Sequence, residues 1–335
     1  MDIALIIEWI IKAVITLLAM TGGFAYLTFY ERKALARIQV RLGPNRAGPG
    51  GWLQPIADGS KLIFKEELIP SQADKVLFLL APVVTVIPAL IITAVVPWGP
   101  TVSIFGRDVS LSVSADVNVG ILYIMAVASI SVYGIVLAGW ASNNKYAMMG
   151  GLRSTAQMIS YELALGLSLL SPVLVAGSLS LQDIVQYQID HTWLVVLQPV
   201  AALLFFISSV AEVNRAPFDM PEAEQELTAG YHVEYSGMKF ALFFMVEYIK
   251  MIAVSAIAAS LFFGGYHGPF VDQIPWLGPI YMLAKVFLLL FGLIWLRATM
   301  PRIRYDHLMA FGWKVLFPVS LGWLLLTGIA VVLLS

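Results

Sequence analysis

The chain has 335 residues, of which 59% are hydrophobic and 12% charged, with a formal net charge of −1 and no cysteine. So apolar a composition excludes a water-soluble domain of this length. The missing thiols exclude disulfides, thiolate-held iron–sulfur clusters and cysteine nucleophiles within the chain.

Apolar runs able to cross a hydrocarbon core of about 30 Å as helices recur near 3–30, 73–98, 116–142, 154–178, 192–213, 237–263, 277–298 and 308–333. The predicted fold class is therefore all-α: residues 1–335 form a single multi-pass transmembrane helical bundle of about eight spans. The first run is too long for a signal-peptide core and carries Glu8 and Lys12 near its start, so it is expected to be retained. Its helix is predicted to continue through ERKALARIQVRLG until Gly43-Pro44 stops it. Lys33, Arg37 and Arg41 then form a basic stripe, which either anchors at phosphate headgroups or lines a site. After the Pro/Gly-rich stretch, Pro55 suits a first helical turn, with Ile56, Ile63 and Phe64 on one face and Asp58, Lys61 and Lys65 on another. A short amphipathic helix lying in the interface is predicted there.

Lys and Arg gather in the odd-numbered loops, whereas the even loops and both termini carry only Arg107. By the positive-inside rule, loops 31–72 and 211–239 face the cytoplasm and both termini lie on the non-cytoplasmic side. Loop 211–239, AEVNRAPFDMPEAEQELTAGYHVEYSGMK, holds six carboxylates against one Arg and one Lys. These acids contribute little to topology and need another explanation.

Ionisable residues within the runs are costly unless they face protein or water. They are Glu162 in the fourth, Glu212 at the end of the fifth, Glu247 and Lys250 in the sixth, and Lys285 in the seventh. Glu8 with Lys12, and Glu247 with Lys250, are spaced to neutralise each other along one helix. Glu162 and Glu212 have no such neighbour except Arg215. Carboxylates withdrawn from water bind protons more tightly, and several of them linked by water can relay protons. The four histidines fall in loops or at span ends, so no pair is placed to grip a haem in mid-membrane, and no phosphate-binding glycine loop is present. Any flavin, haem or iron–sulfur cluster is expected in a partner. A stand-alone proton-coupled transporter and a passive scaffold are the competing classes, although no internal repeat of the transporter kind is visible.

Four stretches carry a family resemblance: YERKALARIQVRLGPNRAGPGGWLQPIADGSKL (30–62), GGLRSTAQMISYEL (150–163), AEVNRAPFDMPEAEQELTAGYHVEYSGMKFALFFMVEY (211–248) and RATMPRIRYDHLMAFGWK (297–314). In this order they resemble the H-type membrane subunit of the proton-translocating NADH:quinone oxidoreductase, respiratory complex I. The resemblance implies a membrane subunit at the junction with the peripheral arm, in a bacterial inner or cell membrane. The first helix, the interfacial helix and the sixth span would frame a quinone entry, with ubiquinone or menaquinone as substrate and no nucleic acid among the partners. It places Arg32, Lys33, Arg37, Asp58, Lys61, Arg297 and Arg302 at the quinone cavity. Glu162, Glu212 and Glu247, with Glu222, Glu224 and Glu226 of the acidic loop, fall on its proton path. Relatives of this family also serve membrane hydrogenases and photosynthetic complexes, which leaves the electron donor open.

Overall fold

The computed structural model describes residues 3–104, 107–114, 117–220, 230–271 and 273–334. Glu222, Glu224 and Glu226 lie outside these residues. The order is α1 (Ile3–Ile38), α2 (Gln54–Ile63), α3 (Lys75–Ile91), a hairpin of β1 (Val102–Ile104) and β2 (Arg107–Val109), then α4 (Gly120–Ala141), α5 (Lys145–Ala176) and α6 (Leu181–Asp190). It continues with α7 (Leu194–Leu197), α8 (Pro199–Glu212), α9 (Gly237–Phe262), α10 (Leu277–Thr299), α11 (Tyr305–Phe311) and α12 (Phe317–Leu334).

Among the described residues, seven helices are long and apolar enough to cross a membrane, and Pro199–Glu212 is a shorter apolar one. The predicted helical bundle is thus observed, with three adjustments. The run 192–213 is not one helix, because Pro199 has no N–H to donate and disfavours helical geometry at Gln198, so one turn of α7 is cut from α8. Gln198 then uses its side-chain oxygen to accept from Trp323 Nε1 at 2.6 Å, fastening the break to α12. Helix α1 stops at Ile38, ahead of the expected Gly43. Val40 adopts φ 54°, Val40 N donates to Arg37 O and Arg41 N donates to Ala36 O at 2.8 Å, a left-handed helix end built on a β-branched residue. The basic stripe therefore ends at Arg37. Last, Tyr305–Leu334 is one rod that widens into a π-helical turn over Gly312–Leu316, where Tyr161 donates its hydroxyl to Leu308 O.

Starts and stops follow local chemistry. Asp74 caps α3 by accepting from Val76 N and Leu77 N, Asn144 caps α5 by accepting from Tyr146 N, and Gly177 at φ 70° ends α5. Packing centres on α5, which contacts α4, α8 and α12, and on α9, which contacts α1, α3 and α10. Helices α3 and α4 approach closely at Gly134, where a Cβ would fall 2.9 Å from Ala81 O, so only glycine fits there. The most apolar window of α9 is 67% buried and that of α1 only 11%, which makes α9 the axis of the bundle and α1 its exposed margin. Helix α2 matches the predicted amphipathic segment. It has no buried residue, and Ile56, Ile63 and Phe64 turn their apolar surface outward, as an interfacial helix requires.

Candidate functional site: a buried ion chain beside an apolar cavity

Gln157 on α5, wholly buried, donates its Nε2 toward Ala211 O, Asn214 Oδ1 and Phe218 O at 3.0, 3.2 and 2.7 Å. One amide thus binds the turn that follows α8, and that turn delivers Arg215 into the interior. Arg215 is 5% exposed, Glu31 of α1 2% and Glu247 of α9 6%. Arg215 Nη1 donates to Glu31 Oε1 at 3.3 Å, and its Nε lies 3.5 Å from Glu247 Oε2. Arg297 of α10 also pairs with Glu31 Oε1. The guanidinium stacks over the Tyr248 ring at 4.3 Å. Burial works against the charge of Arg215, but the facing carboxylates of Glu247 and Glu31 outweigh it and hold its pKa above the ordinary guanidinium value. Arg215 stays a cation, and α1, α9 and its own turn meet on it.

One turn further along α9, Lys250 Nζ donates to Glu212 Oε1 at 3.1 Å, both side chains buried. The spacing of Glu247 and Lys250 allows a pair along the helix. Each turns instead to a different segment, Glu247 to Arg215 and Lys250 to Glu212. Glu162 of α5 accepts from Ser129 of α4 and interacts electrostatically with Glu212. The ions therefore run from Arg297 and Glu31 through Arg215, Glu247, Lys250 and Glu212 to Glu162, crossing the bundle from α10 to α5. The Glu8–Lys12 pair forms as the spacing predicts, at 2.6 Å. Lys285 stands apart from the chain, its Nζ donating to Phe263 O, Gly265 O and His267 O at 2.8, 2.7 and 2.8 Å.

Beside the Arg297 end lies a cavity of about 710 Å³, lined by α1 from Ile15 to Lys33, by α10 from Pro279 to Leu290, by Trp52, Ile252, and by Trp98 and Leu111. Its walls are apolar except for Thr16, Tyr26, Tyr30 and Lys33. Of the residues expected at a quinone cavity, Lys33 is among the lining residues. Arg32 instead donates to Asp58 at 2.6 Å and ties α1 to α2. Arg37 and Lys61 are exposed, Arg302 is half-buried after α10, and Arg297 belongs to the ion chain. The walls come from α1 and α10, with α9 contributing Ile252, whereas α2 contributes no lining residue and only Trp52 precedes it there. Tyr30 and Lys33 face this cavity while Glu31, between them, faces the ions. One turn of α1 thus serves both.

Sequence reasoning singles out Glu162, Glu212 and Glu247 but leaves Glu31, Arg215, Lys250 and Gln157 out of the candidate set. Their signal is tertiary: a Glu beside two basic residues at a helix end reads as surface until α10 and the 214–218 turn are folded over it.

Long apolar helices with a cross-helix chain of buried ions define the class: a polytopic integral membrane protein organised around internal charge. The family model described as NADH dehydrogenase matches residues 11–328. An H-type NADH-quinone oxidoreductase subunit of Geobacter metallireducens is 52% identical, covering 99% of this chain and 97% of its own length. The H-type subunit of Protochlamydia amoebophila is 54% identical over 91% of each chain, and NADH-quinone oxidoreductase subunit 8 of Thermus thermophilus is 50% identical over 96% of this chain and 87% of its own. The chain belongs to the NADH dehydrogenase family, among the H-type membrane subunits of NADH-quinone oxidoreductase.

Proposed function

We propose that the chain is the membrane subunit of a proton-pumping NADH:quinone oxidoreductase that frames quinone entry and couples quinone reduction to proton translocation through its buried acids. The observation that carries this reading is the shared turn of α1, where the apolar cavity and the ion chain adjoin at Tyr30, Glu31 and Lys33. A change of charge near the cavity mouth acts on Glu31 at short range in a medium of low dielectric. Glu31 shares Arg215 with Glu247, so any weakening of one contact strengthens the other, and Glu247 sits one turn from Lys250. Glu212 and Glu162 then continue the proton path, with Glu222, Glu224 and Glu226 of the acidic loop as its connection to the aqueous side. Arg32, Arg37, Asp58, Lys61 and Arg302 form the polar surround of the entry, with Lys33 at its mouth and Arg297 on Glu31. Ubiquinone or menaquinone is the substrate. Flavin and iron–sulfur clusters belong to other subunits of the membrane and peripheral arms. Loops 31–72 and 211–239 face the cytoplasm of a bacterial cell membrane, with both termini on the opposite side.

The test uses assembled complex in sealed vesicles. Glu212→Gln and Glu247→Gln nearly preserve volume but remove the ionisable group. Quinone reduction and proton uptake are expected to fall together, by about tenfold or more, while NADH oxidation with an artificial acceptor that bypasses the membrane arm is unchanged. Wild-type quinone reduction with wild-type proton yield in both variants overturns the reading.

A further inference from the structure

Two turns of backbone meet at Arg215. On its N-terminal side α8 ends in a Schellman turn: Asn214 N donates to Ala211 O at 3.2 Å and Arg215 N to Val210 O at 3.4 Å, with Asn214 in the left-handed region at φ 55°. On its C-terminal side the chain folds back at once, Phe218 N donating to Arg215 O at 2.9 Å. Each turn shapes the backbone on its own side of Arg215, and neither fixes the angle between the two. Gln157 does. Its Nε2 reaches Ala211 O and Asn214 Oδ1 of the first turn at 3.0 and 3.2 Å, and Phe218 O of the second at 2.7 Å. The amide is wholly buried and its Oε1 meets no hydrogen-bond partner among the described residues. The side chain therefore serves as a donor, and the fold tolerates an idle acceptor in its core to keep that donor in place. One turn further along α5, the Tyr161 ring packs on Phe218 with centroids 5.4 Å apart, so the second turn rests on α5 at two points.

We propose that Gln157 is a positioning residue for the ion chain: by tying the two turns together it aims the Arg215 guanidinium at Glu31 and Glu247 at once. None of its three acceptors is charged, so it acts on the ions through Arg215. The guanidinium spans the two carboxylates with Nη1 3.3 Å from Glu31 and Nε 3.5 Å from Glu247. Both contacts are long for charge-assisted hydrogen bonds, so a small rotation between the turns removes one of them. An amide holds the turns without adding a further charge to a buried row of ions, which a lysine could not do. The inference rests on the coupling role proposed above for those ions and assigns the residue that sets their geometry.

The experiment compares Gln157→Met, which keeps the shape and loses both donors, with Gln157→Asn, which keeps the amide but sets its nitrogen back by about one bond length, 1.5 Å. Each is made in the wild-type background and together with Arg215→Lys, and quinone reduction is expressed per assembled complex. With Arg215 in place, kcat is expected to fall about tenfold in both variants, the scale of a lost contact between buried polar groups. KM for quinone and NADH oxidation by an artificial acceptor stay unchanged, because Gln157 touches neither site. With Arg215→Lys, whose ammonium lacks the fork that spans two carboxylates, the further loss is expected to be about twofold or less. That non-additivity marks a residue acting through Arg215. Equal factors in the two backgrounds overturn the proposal, since an amide that merely supports the fold costs the same whatever stands at 215. No loss in either variant, or a raised KM at unchanged kcat, overturns it as well. Gln157→Asn sets no apolar group against the three oxygens, and it carries the test by itself if Gln157→Met fails to assemble. The two failures are distinct: the coupling role falls with the Glu212→Gln and Glu247→Gln vesicles, the positioning role with equal factors here.

Discussion

Helix α9 buries polar groups at two places, and the two are built differently. At its C-terminal end, Gln188 of α6 donates to Ser260 O at 2.8 Å and accepts from Gly264 N at 2.9 Å, while Lys285 of α10 caps three further carbonyls. Midway along, Glu247 and Lys250 reach an arginine and a glutamate on other segments. Lys285 meets neutral acceptors, which have no second protonation state in any working range of pH, so that end is fixed. Glu247 and Lys250 belong to ion pairs whose carboxylates, Glu247 and Glu212, can change charge, so that part can respond. A lysine thus caps carbonyls in one place and pairs with a carboxylate in the other, and its partners decide which.

The strongest test of this contrast is Arg215, which lies between two buried carboxylates and has a fixed charge. Arg215→Gln takes a cation from Glu31, which keeps Arg297, and from Glu247, and breaking a buried pair in this way costs about 3–5 kcal/mol. Little assembled complex is expected on native gels, with no quinone reductase activity in what remains. Arg215→Lys retains the charge but cannot fork toward two partners, so intermediate assembly and activity are expected. Normal turnover in Arg215→Gln would remove Arg215 from the relay.

A smaller effect separates pairing from chemistry. Lys250→Met leaves Glu212 buried with no cation, whereas Lys250→Met combined with Glu212→Gln removes both charges. The double variant is expected to recover assembly relative to Lys250→Met, with a coupling of about 1–3 kcal/mol, yet to remain deficient in proton uptake. If the double variant assembles no better than Lys250→Met, the 3.1 Å contact is not an energetic pair.

How much of this is legible in the chain varies with the range of the interaction. Helix placement is nearly a one-dimensional property, because hydropathy over about 20 residues decides it, and the bundle follows. The breaks at Gln198–Pro199 and Val40 are less visible. Pro199 signals the first, but Val40 is a poor left-handed residue, and only the hydrogen bonds around it reveal the cap. The buried acids and Lys250 stand out as exceptions to the apolar pattern, whereas which of them pair does not. The spacing of Glu247 and Lys250 only permits an intrahelical pair, and the observed partners lie 32 and 38 residues away, on Arg215 and Glu212. The family resemblance points to a cavity between α1, α2 and α9, whereas most of the observed lining comes from α1 and α10. An apolar bed needs no charges along most of its length, so its main wall, α10, gives no signal.

The fixed end of α9 supplies the mildest test. Lys285→Met removes three charge-assisted hydrogen bonds and the stacking of the ammonium over Trp193 at 5.3 Å. Removal of the charge also relieves its desolvation, so the net loss is far below the sum of the contacts. Gln188 still holds Ser260 and Gly264, which keeps the helix end in place. Thermal inactivation of the assembled complex is expected roughly 2–4 °C earlier, as for a loss of about 1 kcal/mol, with quinone reduction per complex within about twofold of wild type. Lys285→Arg should not rescue it, because a planar fork cannot aim at three convergent carbonyls as an ammonium does. Unchanged thermal stability with lost turnover would reverse the assignment: Lys285 would then belong with Lys250 among the responsive ions, and the contrast between the two parts of α9 would disappear.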